Sequence, residues 1–448
     1  MNKLTKLLLS IVVLVAFQQV SAVRLSDNTE GQALIFPYYS VQNDLTSYIT
    51  IENNSGQYKA IKISIREGFN GYAVLNFALY LPPHEVWSGQ LVAAVSSISG
   101  YEGQPSAQLI TTNQGCTPYL ASTQEMLPYE ITNDTADNNM MRSQSGFIKI
   151  VEMGEVIGNH ADGIENDCSY LTNSWNYGGQ WELDADVDIT AATGGLSGSM
   201  LIEHEMDGHQ FVYPAIAIED FYDAGEFLHS NPGNTPPFYA NTLKNQLVLN
   251  SQAQDHTWQT AYEASSASFM RTLLSGQFLS NQSTSTEMVL TFPTKNAYVN
   301  YTNPYYLPPF TEHFQSNGAC ETIPTRTYDN NGVLEPMVNP QAASLCRSVN
   351  VLGFNHANYP ATPYLLEQYH NVIDIQSELG TVEFDFSHFA TAEVIDAANN
   401  NERYVYFGLP VIGVIMHRVE AGGNTALTMQ EMTHSQHIVT DLIFEDGF

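Results

Sequence analysis

The side chains that come nearest to a catalytic motif are two histidines and a glutamate in residues 204–209, His-Glu-Met-Asp-Gly-His. In zinc proteases, two histidines about four residues apart on one helix meet a single metal ion, and a glutamate beside the first histidine acts as the base. Here His204 and His209 are five residues apart, and Asp207 and Gly208 between them disfavour a helix. The spacing therefore argues against a catalytic zinc site.

The same segment has the pattern of a β-hairpin. Apolar pairs at residues 201–202 and 211–212 flank Asp-Gly at residues 207–208, and Asp-Gly is a preferred centre of a two-residue type I′ turn. The expected cross-strand pairs are Met206 with His209, Glu205 with Gln210 and His204 with Phe211. In this register His204 and His209 are diagonal neighbours on one face, within reach of an adventitious metal ion. We predict scaffold strands within residues 200–220.

A second motif precedes the hairpin, where Gly195, Ser197 and Ser199 stand in the sequence Gly-Leu-Ser-Gly-Ser. The nucleophile elbow G-x-S-x-G needs its second glycine two residues after the serine, with a strand before it and a helix after it. Here Gly198 follows the serine directly, and a predicted strand comes next. We interpret Gly194, Gly195 and Gly198 as turn or bulge positions where backbones pass closely.

Two acidic groups offer oxygen ligands for calcium. They are Asp162, Glu165 and Asp167, and Asp184, Asp186 and Asp188. Neither group has the loop with a central glycine and a terminal glutamate that marks an EF-hand. Calcium is a candidate cofactor at Asp184, Asp186 and Asp188 from ligand type alone. The alternative is that these alternate aspartates share one face of a strand and form a solvated acidic ridge.

A carboxylate pair for glycoside hydrolysis stays open, because 47 acidic residues offer many pairs and the separation of two carboxylates is a property of the fold. No local pattern selects a pair, so no catalytic residue is predicted. Exposed aromatics among the 25 tyrosines and 4 tryptophans are candidates for sugar binding. Trp87 and Trp181 are more typical of core anchors.

The four cysteines, Cys116, Cys168, Cys320 and Cys346, predict two disulfides in an exported chain. Three pairings are open for four cysteines. We favour the sequence-local pairing, Cys116 with Cys168 and Cys320 with Cys346, because each bond then staples one long irregular region. No Cys-x-x-Cys spacing occurs, so the usual sequences of thioredoxin-like, c-type haem and zinc-ribbon sites are absent.

The N-terminus has the pattern of a secretory signal peptide over residues 1–22. Lys3 and Lys6 precede an apolar run at residues 7–17, and Val-Ser-Ala at residues 20–22 fits a signal-peptidase site. The run is shorter than the roughly 20 apolar residues of a membrane anchor. No later segment is apolar enough to predict a transmembrane span. We expect export to the periplasm, the cell surface or the extracellular medium.

Acidic residues dominate the charge balance. The chain has 15 Lys+Arg and 47 Asp+Glu residues, a formal charge of −32, which becomes −34 when the two lysines of residues 1–22 are removed. Nucleic acids and anionic lipids select basic surfaces, so no nucleic-acid partner is expected. The negative charge is typical of a soluble secreted protein. A surface glycan or a protein partner stays open, and the oligomeric state is not predicted.

Short strands with a period of two recur from residue 32 onward. Ile61, Ile63 and Ile65, for example, alternate with polar residues, and Asn/Gly turns separate this strand from its neighbours. The spacing predicts a mainly β fold, an antiparallel immunoglobulin-like β-sandwich with long loops and one or a few helices. We expect a β-sandwich domain at residues 23–221 and a second β-rich part at residues 222–448.

Three segments are predicted to be long loops, residues 101–145, 222–257 and 301–345. Their convergence on one concave surface would favour a binding or catalytic role. Residues 258–274 combine helical spacing with good helix formers and form the best predicted helix. Residues 404–416 predict a buried strand, and a return of the C-terminal strands to the first sheet stays open.

Several segments, in one order through nearly the whole mature chain, resemble a family of uncharacterised exported proteins of proteobacteria. They are Leu25-Ser26-Asp27-Asn28 with Gly31-Gln32, Phe36-Pro37-Tyr38-Tyr39, Ile65-Arg66-Glu67-Gly68 with Asn70, Leu79-Tyr80-Leu81 with Val86-Trp87, Thr193-Gly194-Gly195, Leu290-Thr291-Phe292-Pro293-Thr294-Lys295, and Gly408-Leu409-Pro410-Val411-Ile412-Gly413. The family carries an Ile-Asn-Val type sequence in the hairpin strand, without the His204-Glu205 pair. The resemblance implies an exported β-rich protein and supplies no activity and no functional residues.

These observations favour an exported, non-enzymatic protein with a binding or structural role at the periplasm or cell surface. Two alternatives from other classes stay open. One is a secreted carboxylate-dependent glycoside hydrolase, and the other is a calcium-stabilised adhesion module.

Overall fold

Antiparallel β-sheets packed face to face make up most of the chain, with a few short helices between them. The computed structural model describes residues 22–111, 115–128, 134, 136, 138–235, 242–249, 252–300, 308–336, 342–396, 402–421 and 424–440. Residues 1–21, which hold all of the predicted signal peptide except Ala22, lie outside the described residues.

The first half of the chain forms two sheets that we call the first sandwich. Its strands are β1 (Arg24–Leu25), β2 (Ala33–Ser40), β3 (Leu45–Asn53), β4 (Tyr58–Glu67), β5 (Ala73–Leu81), β6 (Val86–Val95), β7 (Pro105–Thr111), β8 (Thr123–Glu125), β9 (Ser145–Val156), β10 (Ile189–Thr190), β11 (Leu196–His204), β12 (His209–Pro214) and β13 (Ile216–Glu219). One sheet has the order β1-β13-β2-β9-β4-β5, with β10 beside β9, and the other has the order β12-β11-β3-β6-β7-β8.

The alternation in the sequence accounts for the core of the first sandwich. Ile61, Ile63 and Ile65 of β4 pack in one hydrophobic cluster with Ile49 and Ile51 of β3, which belongs to the opposite sheet. Each of the five side chains is at most 1% exposed. Burial of a side chain of this size contributes about 1.5–3 kcal/mol, so the period of two selects the face that holds the two sheets together.

The polar face of β4 is buried as well. Lys62 lies under the segment that follows β13, and its Nζ donates to the carbonyl oxygens of Asn231 and Pro232 at 2.5 and 3.2 Å. Lys59 forms an ion pair with Glu152 at 2.7 Å, and both side chains are 0% exposed. Buried charges need such partners. The alternation of apolar and polar residues along β4 thus distinguishes its two faces. Both faces are nevertheless buried.

The second half of the chain supplies the remaining strands. They are β14 (Lys244–Leu249), β15 (Gln252–Thr257), β16 (Met270–Arg271), β17 (Leu273–Leu279), β18 (Thr284–Thr291), β19 (Glu321–Asp329), β20 (Ala342–Leu345), β21 (Val349–His356), β22 (Asn371–Ile375), β23 (Leu379–Asp385), β24 (Val394–Asp396), β25 (Glu402–Phe407), β26 (Leu409–Pro410), β27 (Ile412–Ala421), β28 (Asn424–Glu431), β29 (Thr433–Ser435) and β30 (His437–Thr440). Two five-stranded sheets, β20-β19-β23-β17-β29 and β22-β21-β18-β27-β28, form the second sandwich. Smaller sheets are β14-β15, β16-β26 and β24-β25-β30.

The sheet that contains β18 is covered on both faces. Met288 and Leu290 belong to the core of the second sandwich, whereas Val289 between them belongs to the core of the first. All three side chains are 0% exposed. Because successive side chains of a strand point to opposite faces, this apolar run joins the two sandwiches through one shared sheet.

The prediction of a mainly β, antiparallel sandwich is confirmed, and its immunoglobulin-like type stays a prediction. The C-terminal strands β28, β29 and β30 pair with β27, β17 and β25. Within the described chain, therefore, they pair with strands of the second half and do not return to the first sheet.

Helices are short and few. They are α1 (Gly158–Asn166), α2 (Cys168–Trp175), α3 (Gln180–Leu183), α4 (Ala261–Ala267) and α5 (Lys295–Val299), with a 3-10 turn at Met140–Gln144. No helix among the described residues has both the length and the apolar content needed to cross a membrane. The segment of α1 to α3 was not predicted to be helical, because it is rich in Asn, Gly and Asp, which are weak helix formers.

The helix predicted over residues 258–274 is wrong in its extent. Only α4 is helical, and it begins at a capping box formed by Thr260 and Glu263. Beyond it, β17 pairs with β23 on one side and β29 on the other. The tertiary pairing of these strands overrides the helical preference of the sequence.

All three loop predictions are also wrong in part, and strands β19 and β20 lie within residues 301–345. Strands β7 and β8 occupy portions of residues 101–145, and the β14-β15 hairpin occupies most of residues 244–257. In β7 the buried residues Ala107 and Leu109 give only a brief alternation, which a pattern search over a longer window misses.

The buried strand predicted over residues 404–416 is interrupted at Gly408. This glycine has a φ of +104°, and a Cβ there would lie 2.0 Å from the carbonyl oxygen of Arg271. Only glycine fits such a conformation and such a close approach. The chain turns at this point, so β25 and β27 belong to different sheets.

Both disulfides have the sequence-local pairing that we favoured. Cys116 bonds to Cys168 at the start of α2, and Cys320 bonds to Cys346 just before β21. All four cysteines are paired. Beside the second bond, buried Lys295 donates from Nζ to the carbonyl oxygens of Ala319 and Leu345 at 2.5 and 3.1 Å, so a hydrogen-bonded lysine reinforces the same staple.

Removal of each disulfide should lower the free energy of unfolding. A Cys116→Ser, Cys168→Ser double variant loses about 4 kcal/mol, because that bond closes a loop of 52 residues in the unfolded chain. The Cys320→Ser, Cys346→Ser double variant loses about 3.5 kcal/mol, from a loop of 26 residues. Urea unfolding followed by circular dichroism measures both values. Unfolding curves that coincide with those of the wild type would contradict this expectation.

Candidate binding groove between the two sandwiches

The hairpin that carries the histidine motif is present, in a different register from the one predicted. His204 pairs with His209 and Ile202 with Phe211, and the connecting loop spans residues 205–208. The predicted pairs Met206–His209, Glu205–Gln210 and His204–Phe211 are therefore wrong. A register shift of two residues keeps every side chain on its face, so the packing of Ile202 against Phe211 in the core selects the register.

The histidines and the glutamate of this motif contact side chains of the hairpin and of the neighbouring strand β3. Nδ1 of His204 and Nδ1 of His209 each lie 2.8 Å from Oδ1 of Asp207. Burial raises the pKa of Asp207, but the backbone N–H of His209 and the two imidazoles outweigh burial and lower it. Glu205 accepts a hydrogen bond from the hydroxyl of Thr46. The carboxylate between the two rings thus holds the loop, and the motif forms no zinc-protease arrangement.

The three aspartates predicted as calcium ligands make different contacts. Asp184, Asp186 and Asp188 lie in the turn between α3 and β10, so the expectation of a strand with one acidic face is wrong. Asp184 accepts from the backbone N–H of Asp186 at 3.1 Å, whereas Asp188 contacts His160. Among the described residues, no three His, Cys, Asp or Glu side chains are grouped as metal ligands would be.

Asp188 instead belongs to a chain of hydrogen bonds with the order of a catalytic triad. Its Oδ2 lies 2.8 Å from Nδ1 of His160, and Nε2 of His160 lies 3.0 Å from Oγ of Ser174. His160 is 0% exposed and Ser174 is 5% exposed, and the Ser174 hydroxyl also bonds the carbonyl oxygen of Tyr170. A nucleophile must be reachable by its substrate. This closed network therefore fastens α1, α2 and the turn before β10 together.

The glycines before the hairpin have the predicted structural role. Gly194 and Gly195 have φ angles of +83° and +81°, and a Cβ on Gly198 would lie 2.4 Å from the carbonyl oxygen of Thr50. The first two glycines make a turn, and the third lets β11 pass close to β3. Ser197 is accordingly a strand residue and not the nucleophile of an elbow.

A groove lies where the two sandwiches meet. It consists of two adjoining cavities of about 390 and 300 Å³ that share Gln42, Met141, Ser145, Arg347 and His370 in their walls. The first three residues come from the first sandwich and the last two from the second. We call this feature the inter-sandwich groove, and both halves of the chain are needed to form it.

Two arginines and a phenylalanine form one end of the groove. The guanidinium carbons of Arg142 and Arg347 lie 5.0 and 4.9 Å from the centre of the Phe69 ring. Arg142 is neutralised, because its Nη2 lies 3.2 Å from Glu67 and 2.8 Å from Asp134. The carboxylate of Glu67 is itself committed, since it also accepts the backbone N–H groups of Phe69 and Asn70.

Arg347 differs from Arg142 in having no acceptor. Among the described residues its guanidinium forms neither a hydrogen bond nor an ion pair. It makes a cation–π contact with the Phe69 ring. Burial lowers the pKa of Arg347, and Glu67 partly offsets this. An arginine has five N–H donors, so Arg347 brings to both cavities of the groove a cationic donor group without an acceptor among the described residues.

His370 brings a second donor. Its Nδ1 accepts the backbone N–H of Val351 at 3.1 Å, and a backbone N–H can only donate, so the proton of the neutral ring is on Nε2. Burial lowers the pKa of His370 to about 3, and the charge of Arg347 adds to this effect. At neutral pH the ring therefore presents Nε2–H, and no described residue accepts from it.

One wall of the groove is the loop at residues 357–370, which Glu287 fixes. The carboxylate of Glu287 accepts the backbone N–H groups of Tyr364 and Leu365 at 2.9 and 3.1 Å. From the first sandwich, the hydroxyl of Tyr38 donates to the carbonyl oxygen of Leu365 at 2.7 Å. Burial raises the pKa of Glu287 to about 7, although these N–H groups and Tyr369 act to lower it. The loop is thus held from both sandwiches.

Two of the three long segments converge on the groove. Residues of 101–145 contribute Ala136, Asn139 and Met141, and residues of 301–345 contribute Ser316, Asn317 and Ser344. The segment at residues 222–257 does not line these cavities, and its Pro232 and Gly233 border a different one. Sequence reasoning missed Arg347 and His370. The one feature of the sequence that could have drawn attention to Arg347 is the scarcity of basic residues, 15 in all.

No protein-family model matches the chain, and neither a curated protein nor a solved structure is significantly similar to it.

A pH titration of stability tests the anchoring of the loop by Glu287. The folded protein keeps the Glu287 proton up to about pH 7, whereas the unfolded chain releases it near 4.5. Between these values the folded state binds more protons, so wild-type stability falls relative to a Glu287→Gln variant as pH rises. Urea unfolding from pH 4.5 to 7 measures this difference.

The exposed Glu420 provides the matched control. A Glu420→Gln variant, which removes a carboxylate from a side chain that is 57% exposed, is measured over the same range. A difference between wild type and Glu287→Gln that does not change with pH would contradict a buried, proton-binding Glu287.

Proposed function

We propose that this protein is an exported, non-enzymatic binding protein and that the inter-sandwich groove is its ligand site. The observation that carries the proposal is the pair of donors, Arg347 and His370, that face the groove without acceptors among the described residues. Both side chains border the open groove, so their N–H groups are available to a ligand that accepts hydrogen bonds.

The chemistry of the groove favours binding over catalysis. Its described lining combines a guanidinium, an imidazole N–H, side-chain amides and hydroxyls, and the ring of Phe69. A glycoside hydrolase needs two carboxyl groups about 5–10 Å apart across the scissile bond. Glu367 is the one carboxyl group in the described lining of the two cavities. A pocket with a few convergent polar groups is suited to hold and orient a ligand.

Export is part of the proposal and has separate support. Two disulfides are compatible with an oxidising compartment, and residues 1–22 have the signal-peptide pattern. Sequencing of the N-terminus of the protein recovered outside the cytoplasm tests this part. The expected first residue is Val23, and an intact Met1 would contradict it.

Blocking the groove tests the ligand site. Met141 is 43% exposed and lines both cavities, so Met141→Trp should fill the groove without disturbing the core. Val95 is 72% exposed and serves as the control, Val95→Trp. The probes are galacturonate, galactose, N-acetylalanine and N-acetylalaninamide, measured by titration calorimetry.

We expect at least one probe to bind the wild type and Val95→Trp equally, and to bind Met141→Trp at least about tenfold more weakly, a loss of roughly 1.4 kcal/mol. Binding that is the same in both tryptophan variants would place the ligand elsewhere. If no probe binds the wild type, the proposal fails for small polar ligands.

A further inference from the structure

The hydrogen-bond donors that line the groove indicate the charge of its ligand. Arg347 is a cation with a planar fork of N–H groups, and such forks match carboxylate and phosphate groups. The guanidinium carbon of Arg347 lies 4.9 Å from the centre of the Phe69 ring, a cation–π contact that stabilises this side chain beside the groove. Because Nε2–H of His370 is also a donor, the site has several donors and calls for an acceptor with two oxygens.

The fixed charges around the groove distinguish between a monoanion and a dianion. Glu67 and Asp134 lie beside Arg142, and both carboxylates have 0% exposed side chains. These two carboxylates and Arg142 together carry a net charge of −1, and neither carboxylate is paired with Arg347. Glu367 adds another carboxylate to the wall of the larger cavity.

A phosphate with two charges would face repulsion from these carboxylates and from a chain with 47 acidic residues and 15 basic ones. A group with a single charge and two oxygens meets less repulsion and still satisfies the guanidinium fork. The carboxylate has this charge and this geometry.

From this arrangement we infer that the inter-sandwich groove binds a carboxylate-bearing small ligand, with the carboxylate on the guanidinium of Arg347 and on Nε2–H of His370. The inference rests on the proposed binding function and adds the chemical class of the ligand. The remainder of the ligand lies along the amide of Gln42 and the hydroxyl of Ser145. Acidic sugars and the carboxyl groups of amino-acid derivatives are two sources of this chemistry.

Two matched pairs of probes test the charge requirement. Galacturonate is compared with galactose, and N-acetylalanine with N-acetylalaninamide, so that in each pair the neutral member lacks only the carboxylate. Titration calorimetry at low salt should show at least one carboxylate binding about tenfold or more tightly than its neutral partner, because a charge-assisted hydrogen bond contributes more than a neutral one. Binding of galacturonate alone identifies a sugar acid, and binding of N-acetylalanine alone identifies an amino-acid carboxylate.

Substitutions at the two donors locate the carboxylate. Arg347→Met removes the charge and the fork and should abolish the preference for the carboxylate, whereas Arg347→Lys keeps the charge and should retain part of it. His370→Asn places an amide oxygen where Nδ1 accepts from Val351 and removes the Nε2–H donor, so the fold is kept and binding weakens severalfold. Arg326→Met, at an exposed ion pair with Asp385, is the control and should change nothing.

The outcomes separate this inference from the proposed function. If the neutral probes bind as tightly as the carboxylates and Met141→Trp still blocks them, the groove is a ligand site and the carboxylate assignment is overturned. The assignment is also overturned if no carboxylate binds the wild type, or if Arg347→Met keeps its near-ultraviolet circular dichroism spectrum and binds the carboxylate as the wild type does.

Discussion

The burial of both faces of one sheet is the constraint on which the rest of the structure depends. Along β18, Met288 and Leu290 pack into one core and Val289 into the other, so the two sandwiches cannot be separated without exposing an apolar face. Glu287 lies next to this run, 1% exposed, and it is tolerable there because two backbone N–H groups satisfy its carboxylate. These hydrogen bonds to Glu287 hold residues 357–370 at the junction of the two sandwiches.

The groove follows from the same constraint. Once Glu287 and Tyr38 hold the loop from opposite sides, His370 at its end lies near Arg347 and Phe69. The buried lysines Lys59, Lys62 and Lys295 each have acceptors. Arg347 departs from this pattern, because it has no acceptor among the described residues and borders both cavities of the inter-sandwich groove. We regard that departure as the sign of a ligand site, because unsatisfied donors are kept where they serve function.

The strands and the disulfides could be predicted from the sequence, but the junction between the two sandwiches could not. Ile61, Ile63 and Ile65 alternate strongly enough to predict their strand, and each pair of cysteines staples a nearby region. The register of the hairpin could not be predicted, because a shift of two residues leaves every side chain on the same face. The pairing of Ile202 with Phe211 in the folded core decides between the registers. Nothing in the local pattern tells Arg142, which has acidic partners, from Arg347, which has none in the described part of the chain. That difference depends on residues distant in sequence.

The most direct test of the account is a crystal structure of the protein soaked with galacturonate or N-acetylalanine, whichever binds. The account predicts carboxylate oxygens within about 3.2 Å of the Arg347 guanidinium and of Nε2 of His370, with Glu67 still paired to Arg142. A ligand bound elsewhere, with the Arg347 guanidinium turned into an ion pair with Glu67 across a closed groove, would contradict it.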